Sequence, residues 1–124
     1  MRIFLADDQA KVCSALRLLL EQEPGLSVVG EAAEAKDLLA QVQRTRPDLV
    51  LLDWELPGRP AADLLAALRA LSRPPRVVVY GETRRVCREA LAAGANAFVG
   101  KNEPPEWLLT TLHSVAGLSP CYAG

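Results

Sequence analysis

Five times along the chain, a short apolar run gives way to a longer stretch whose apolar residues recur every three or four positions. The short runs are residues 3–6, 26–30, 47–53, 77–80 and 97–99. The run ending in Asp53 cannot alternate faces, so it reads as a strand covered on both sides, as in a parallel sheet. The longer stretches predict helices over about residues 9–21, 35–45, 61–71 and 84–93, and a fifth opened by Pro104-Pro105. Their inward stripes are Val12, Leu16, Leu19 and Leu20, then Leu38, Leu39 and Val42. The third helix turns Leu64, Leu65, Leu68 and Leu71 inward, and the fifth Leu108, Leu109, Leu112 and Val115. The punctuation agrees: Pro24-Gly25 stops the first helix, Pro47 ends the second, Pro74-Pro75 forces an extended approach to the fourth strand, and Gly94 caps the fourth helix.

Strand and helix in fivefold alternation predict an α/β fold, a doubly wound five-stranded parallel sheet of the flavodoxin-like (βα)5 kind. The expected strand order is 2-1-3-4-5, and right-handed crossovers place two helices on one face and three on the other. Ligands of such sheets bind outside the carboxyl ends of the strands. Asp7 and Asp8 end the first strand, Asp53 ends the third just before the Pro57-Gly58 turn, and Lys101 follows the fifth. Three carboxylates and one ammonium therefore converge on a single rim.

Composition narrows the function. At 124 residues, half of them hydrophobic, the chain makes one domain, expected over residues 1–117 with a tail or linker over 118–124. A net charge of −1 supplies no field to draw in nucleic acid or an anionic membrane. Cys13, Cys87 and Cys121 are odd in number and form no CxxC pair, which points to buried or incidental thiols of a reducing compartment. The first apolar run is too short for a signal peptide or a membrane span, so a cytoplasmic location is expected.

The rim carries a definite chemistry. A hard cation such as Mg²⁺ takes oxygen ligands, usually one or two carboxylates with waters. Asp8 and Asp53 meet that need, and Asp7 is placed to hold a metal-bound water or to orient Asp8. Three carboxylates without a cation would repel one another and raise at least one pKa. With its charge balanced, Asp53 is a nucleophile for phosphorus, as aspartates are in covalent phosphoryl transfer. Lys101 offers a point charge to phosphoryl oxygens. The chain has three lysines against eleven arginines, so a lysine at this spot stands out.

Ala6-Asp7-Asp8, the run Pro47 to Asp53 with Leu56-Pro57-Gly58, Ala93-Gly94-Ala95, and Phe98-Val99-Gly100-Lys101 together resemble the receiver domain of two-component response regulators, in the NarL/FixJ type. The resemblance covers nearly the whole chain. It implies that Asp53 accepts a phosphoryl group from a sensor histidine kinase. It implies Mg²⁺ held by Asp8, Asp53 and the backbone carbonyl of Glu55, with Asp7 in the outer shell and Lys101 paired with the phosphate. It also implies a following helix-turn-helix domain that contacts DNA, which this domain does not.

The chain departs from that family at the end of strand four. Receivers usually place a Ser or Thr where this chain has Gly81, followed by a small residue where it has Glu82. Thr83 is the candidate to supply the missing hydroxyl. Phe98 occupies the aromatic position whose rotamer commonly follows the hydroxyl residue in family members. Two further readings stand beside the leading one: a phosphorylation-independent interaction module on the same fold, and a Mg²⁺-dependent aspartyl phosphatase, for which the length leaves no cap or substrate pocket. Leu18 and Trp107 make helices one and five a candidate homodimer surface, and Arg84, Arg85 and Arg88 do the same for helix four. His113 is expected to be a surface or interface residue away from the rim.

Overall fold

The structure, a computed structural model, describes residues 1–116. The elements run β1 (Arg2–Ala6), α1 (Ala10–Glu21), β2 (Ser27–Ala32), α2 (Ala35–Thr45), β3 (Leu49–Asp53), α3 (Ala61–Arg69), β4 (Arg76–Gly81), α4 (Arg84–Ala92), β5 (Ala97–Gly100) and α5 (Pro105–Ala116). All five strands are parallel, in the order β2-β1-β3-β4-β5. The expected fold and strand order are therefore found. The expected tail and Cys121 lie outside the described residues.

The sheet is buried on both sides because its strands are apolar on both sides. One face carries Phe4, Ala6, Val50, Leu52, Val77 and Val79 against Leu38 and Val42 of α2, Leu64, Leu65 and Leu68 of α3, and Ala90 of α4. The other carries Ile3, Leu5, Leu49, Leu51, Val78, Tyr80 and Val99 against Cys13 and Leu20 of α1 and Leu108 and Leu112 of α5. Three helices thus cover one face and two the other. Burying a side chain the size of leucine contributes about 1.5–3 kcal/mol, so these two layers dominate the stability of the fold.

Several boundaries shift by one or two residues from the expected ones, those of β2, α3 and α4 for visible reasons. β2 begins one residue later and ends two later than its apolar run, because it pairs along β1 with an irregularity. Ile3 pairs with Val28 and Phe4 with Gly30, which leaves Val29 as the extra residue of a bulge. Gly30 is required there, since a Cβ would stand 2.6 Å from Cε2 of the Phe4 ring. α3 ends at Arg69, leaving Leu71 half-buried beyond it. α4 stops one residue early, and Gly94 closes it with a φ of +105°.

α2 ends differently: Arg46 takes the left-handed conformation, with φ 50° and ψ 61°, and its N–H donates to the Val42 carbonyl at 2.9 Å. Leu18 and Trp107 are 68% and 58% exposed, so neither joins the core. Among the described residues, no helix is long and apolar enough to cross a membrane.

Candidate acidic site at the carboxyl edge of the sheet

Sheet register sets the site. Asp53 is the last residue of β3 and pairs with Tyr80 of β4, while Ala6 pairs with Leu52, so Asp7 emerges beside Asp53. Gly81 pairs with Gly100, which places Lys101 one residue beyond, and its N–H donates to the Gly81 carbonyl at 2.8 Å. Asp7, Asp8 and Asp53 each present a carboxylate oxygen within 4.8 Å of the others. Three oxygens of that hardness and spacing fit a divalent cation such as Mg²⁺. Asp8 is exposed, whereas Asp7 and Asp53 are buried.

Each buried carboxylate is held by donors. Asp53 Oδ1 accepts from the Glu55 N–H at 3.0 Å and lies 3.0 Å from Lys101 Nζ. Asp7 Oδ1 accepts from the Gln9 N–H at 2.8 Å, and Asp7 Oδ2 accepts from the Tyr80 hydroxyl. The Cys13 thiol donates to the Asp7 carbonyl at 3.6 Å. The Lys101 ammonium also stands 5.3 Å from the centre of the Tyr80 ring, within cation–π range.

Burial, more than anything else, pushes the Asp53 carboxyl above its ordinary value. The Glu55 N–H and Lys101 pull it back, and the Asp7 charge adds a smaller upward push. The expected carboxylate repulsion is thus present but secondary to desolvation. Burial opposes the Lys101 charge, yet the Asp53 carboxylate outweighs it and raises the lysine above its ordinary value. Burial and the Asp7 contact push the Tyr80 phenol far up, so it remains a hydrogen-bond donor. Burial also raises the Cys13 thiol to about 11.

The remaining sequence candidates divide. Glu55 contributes its N–H to Asp53, and its side chain is exposed. Thr83 caps α4: its hydroxyl oxygen accepts from the Val86 N–H at 3.1 Å. At Gly81, a Cβ would stand 2.8 Å from Val86 Cγ1 and 3.3 Å from Phe98 Cε1, so those two side chains fill the space a hydroxyl residue would need. His113 lies away from the site, with Nε2 3.2 Å from Glu23 Oε1. Tyr80 joins the site although no motif in the sequence marks it. Its alternation with Val78 signals the α1–α5 face, but only the folded register brings its hydroxyl to Asp7.

The geometry has close counterparts. A family model described as the response regulator receiver domain matches residues 3–113. The chain is 33% identical over 118 residues to the probable transcriptional regulatory protein SgaR of Hyphomicrobium methylovorum, covering 94% of this chain and 56% of that protein. It is 33% identical over 116 residues to the nitrate/nitrite response regulator protein NarL of Escherichia coli strain K12, covering 92% and 54%. The chain thus spans about half the length of these relatives. The crystal structure of a LuxR-family two-component response regulator from Aurantimonas sp. SI85-9A1 superposes with a TM-score of 0.86 at 31% identity, covering 98% of this chain and 91% of that one. Fold, rim and comparisons agree: this chain belongs to the response regulator receiver domain family.

Proposed function

We propose that the chain is a phosphorylation-dependent receiver in which Asp53 takes a phosphoryl group from a phosphohistidine of a sensor histidine kinase. The observation that carries this reading is the buried Asp53 carboxylate, paired with Lys101 and sharing its rim with Asp7 and Asp8. Both donors to Asp53 address Oδ1, and Oδ2 is the oxygen we assign to attack. It bonds to phosphorus as the P–N bond breaks, and the imidazole leaves with the electron pair and takes a proton from water. Lys101 then follows the charge from the carboxylate to the phosphoryl oxygens.

Asp8, Asp53 and the Glu55 carbonyl would hold Mg²⁺, with Asp7 in the outer shell. When bound, the ion supplies positive charge that neutralises the carboxylates and the transferring phosphoryl group. Turnover of an external phosphate ester is not expected. The names of the relatives SgaR and NarL support a transcriptional output, and we assign DNA contact to a helix-turn-helix domain of a longer regulator. We place that regulator in the cytoplasm. The exposed Leu18 and Trp107 support a homodimer through α1 and α5, with the arginine face of α4 as the other surface.

The test is acyl-phosphate formation with phosphoramidate and Mg²⁺. Wild type is expected to gain one phosphoryl group and Asp53→Asn none; an unmodified wild type overturns the reading. A second reading, an interaction module indifferent to phosphate, is favoured by the side chains packed against Gly81. It predicts that Asp53→Ala leaves partner binding unchanged.

A further inference from the structure

β4 presents consecutive residues to opposite faces, and the two faces differ at its end. On the α4 side, Gly81 has no side chain, and Val86 and Phe98 close the space above it. The start of α4 is fixed by the Thr83 cap. Nothing on that side reaches into the acidic site from β4. On the α1–α5 side, Tyr80 touches the site twice: its hydroxyl donates to Asp7 Oδ2, and its ring lies under the Lys101 ammonium that pairs with Asp53. The same ring lines a groove of about 510 Å³ between α1 and α5, with Val12, Leu16, Val99 and Leu108.

We propose that Tyr80 is the positioning residue of this site, holding Asp7 and Lys101 and passing the state of Asp53 to the α1–α5 groove. The proposal rests on the reading of Asp53 as phosphoryl acceptor and of the three aspartates as a Mg²⁺ site. A cation drawing on Asp7 competes with the phenol for the same carboxylate. A lysine that follows a phosphoryl group slides off the ring that now faces it. Either event changes what Tyr80 touches, and the ring is already part of the groove wall. In this chain the reporter has moved one residue along β4, and with it to the other side of the sheet.

The experiment uses the metal alone first. Trp54 adjoins Asp53, so its fluorescence in a Trp107→Phe background reports Mg²⁺ titrations. Tyr80→Phe removes one hydrogen bond to a buried carboxylate and leaves the ring. Half-saturating Mg²⁺ is expected to fall by about tenfold, because a metal-bound water then meets an Asp7 oxygen free of its phenol donor. Tyr80→Leu is expected to show the same shift and also a slower reaction with phosphoramidate, having lost the ring beneath Lys101. A purely structural role would lower thermal stability and leave the Mg²⁺ midpoint where it was.

The chain has two tyrosines and two phenylalanines, so fluorotyrosine and, separately, fluorophenylalanine give assignable ¹⁹F signals without altering the site by mutation. The Tyr80 signal is expected to move on adding Mg²⁺ and again on phosphorylation. An unchanged Mg²⁺ midpoint in Tyr80→Phe, or a phosphorylation shift at Phe98 with Tyr80 still, overturns the proposal while leaving Asp53 as acceptor. A wild type that binds no Mg²⁺ and takes no phosphoryl group overturns both.

Discussion

Lys101 Nζ stands 3.0 Å from Asp53 Oδ1, and the lysine side chain is 23% exposed against 3% for the aspartate. The pair is therefore unequal: the carboxylate depends on the ammonium more than the reverse. Lys101→Met is expected to cost about 2 kcal/mol by leaving a buried carboxylate without its cation. Adding Asp53→Asn to it should recover most of that loss. Urea unfolding of the two single variants and the double variant measures the coupling.

The pH profile of the metal-free protein follows from the same carboxyl. The folded value of Asp53 lies above its ordinary value of 3.8, because burial disfavours the charged form. Its stabilising contribution is full below 3.8 and is lost as pH rises through the folded value. Asp53→Asn lacks that loss, so it should be the more stable of the two at neutral pH without Mg²⁺. Thermal unfolding of both proteins between about pH 3 and 8 checks the sign.

At Gly81, a hydroxyl side chain should be resisted by packing. Val86 is β-branched and stiff at χ1, and its Cγ1 lies 2.8 Å from where a Cβ would be. Gly81→Ser is expected to destabilise by about 1–3 kcal/mol, as overpacked substitutions do. Val86→Ala added to it should restore much of the loss, read by denaturant midpoint.

Arg46 carries local strain, since a side chain at a φ of 50° costs about 1–2 kcal/mol relative to glycine. Arg46→Gly is expected to raise stability by about 1 kcal/mol, with phosphorylation of Asp53 unaffected.

The thiols should separate cleanly. Cys13 is buried and its thiol is raised to about 11, so iodoacetamide at pH 8 should spare it while labelling the half-buried Cys87. Mass spectrometry of peptides from the native protein reads the result.

Much of this was visible in the chain because the signals are local. Apolar runs, prolines and Gly94 place every element to within about two residues, the usual looseness of helix and strand ends. Asp7, Asp8, Asp53 and Lys101 could be brought together because a parallel sheet delivers all its strand ends to one edge. What stayed hidden depended on register and on side-chain volume. The bulge at Val29 and the Phe4 ring lying across Gly30 are contacts between strands that no pattern encodes. The Tyr80 bond to Asp7 needs both residues placed in three dimensions. The packing of Val86 and Phe98 against Gly81 is likewise a matter of volume: the sequence showed a missing hydroxyl, and the structure shows the space already taken.

The irregular β2 has a last consequence, for how copies of this domain meet. An open strand edge is a template for adding another strand, and proteins blunt such edges with bulges, charges or shortness. β2 is bulged at Val29, and its Glu31 carboxylate is tied to Arg17 at 2.6 Å. The opposite edge, β5, is four residues long. One border is irregular and the other is short. Both edges are therefore poor templates for a further strand, which disfavours sheet-to-sheet growth.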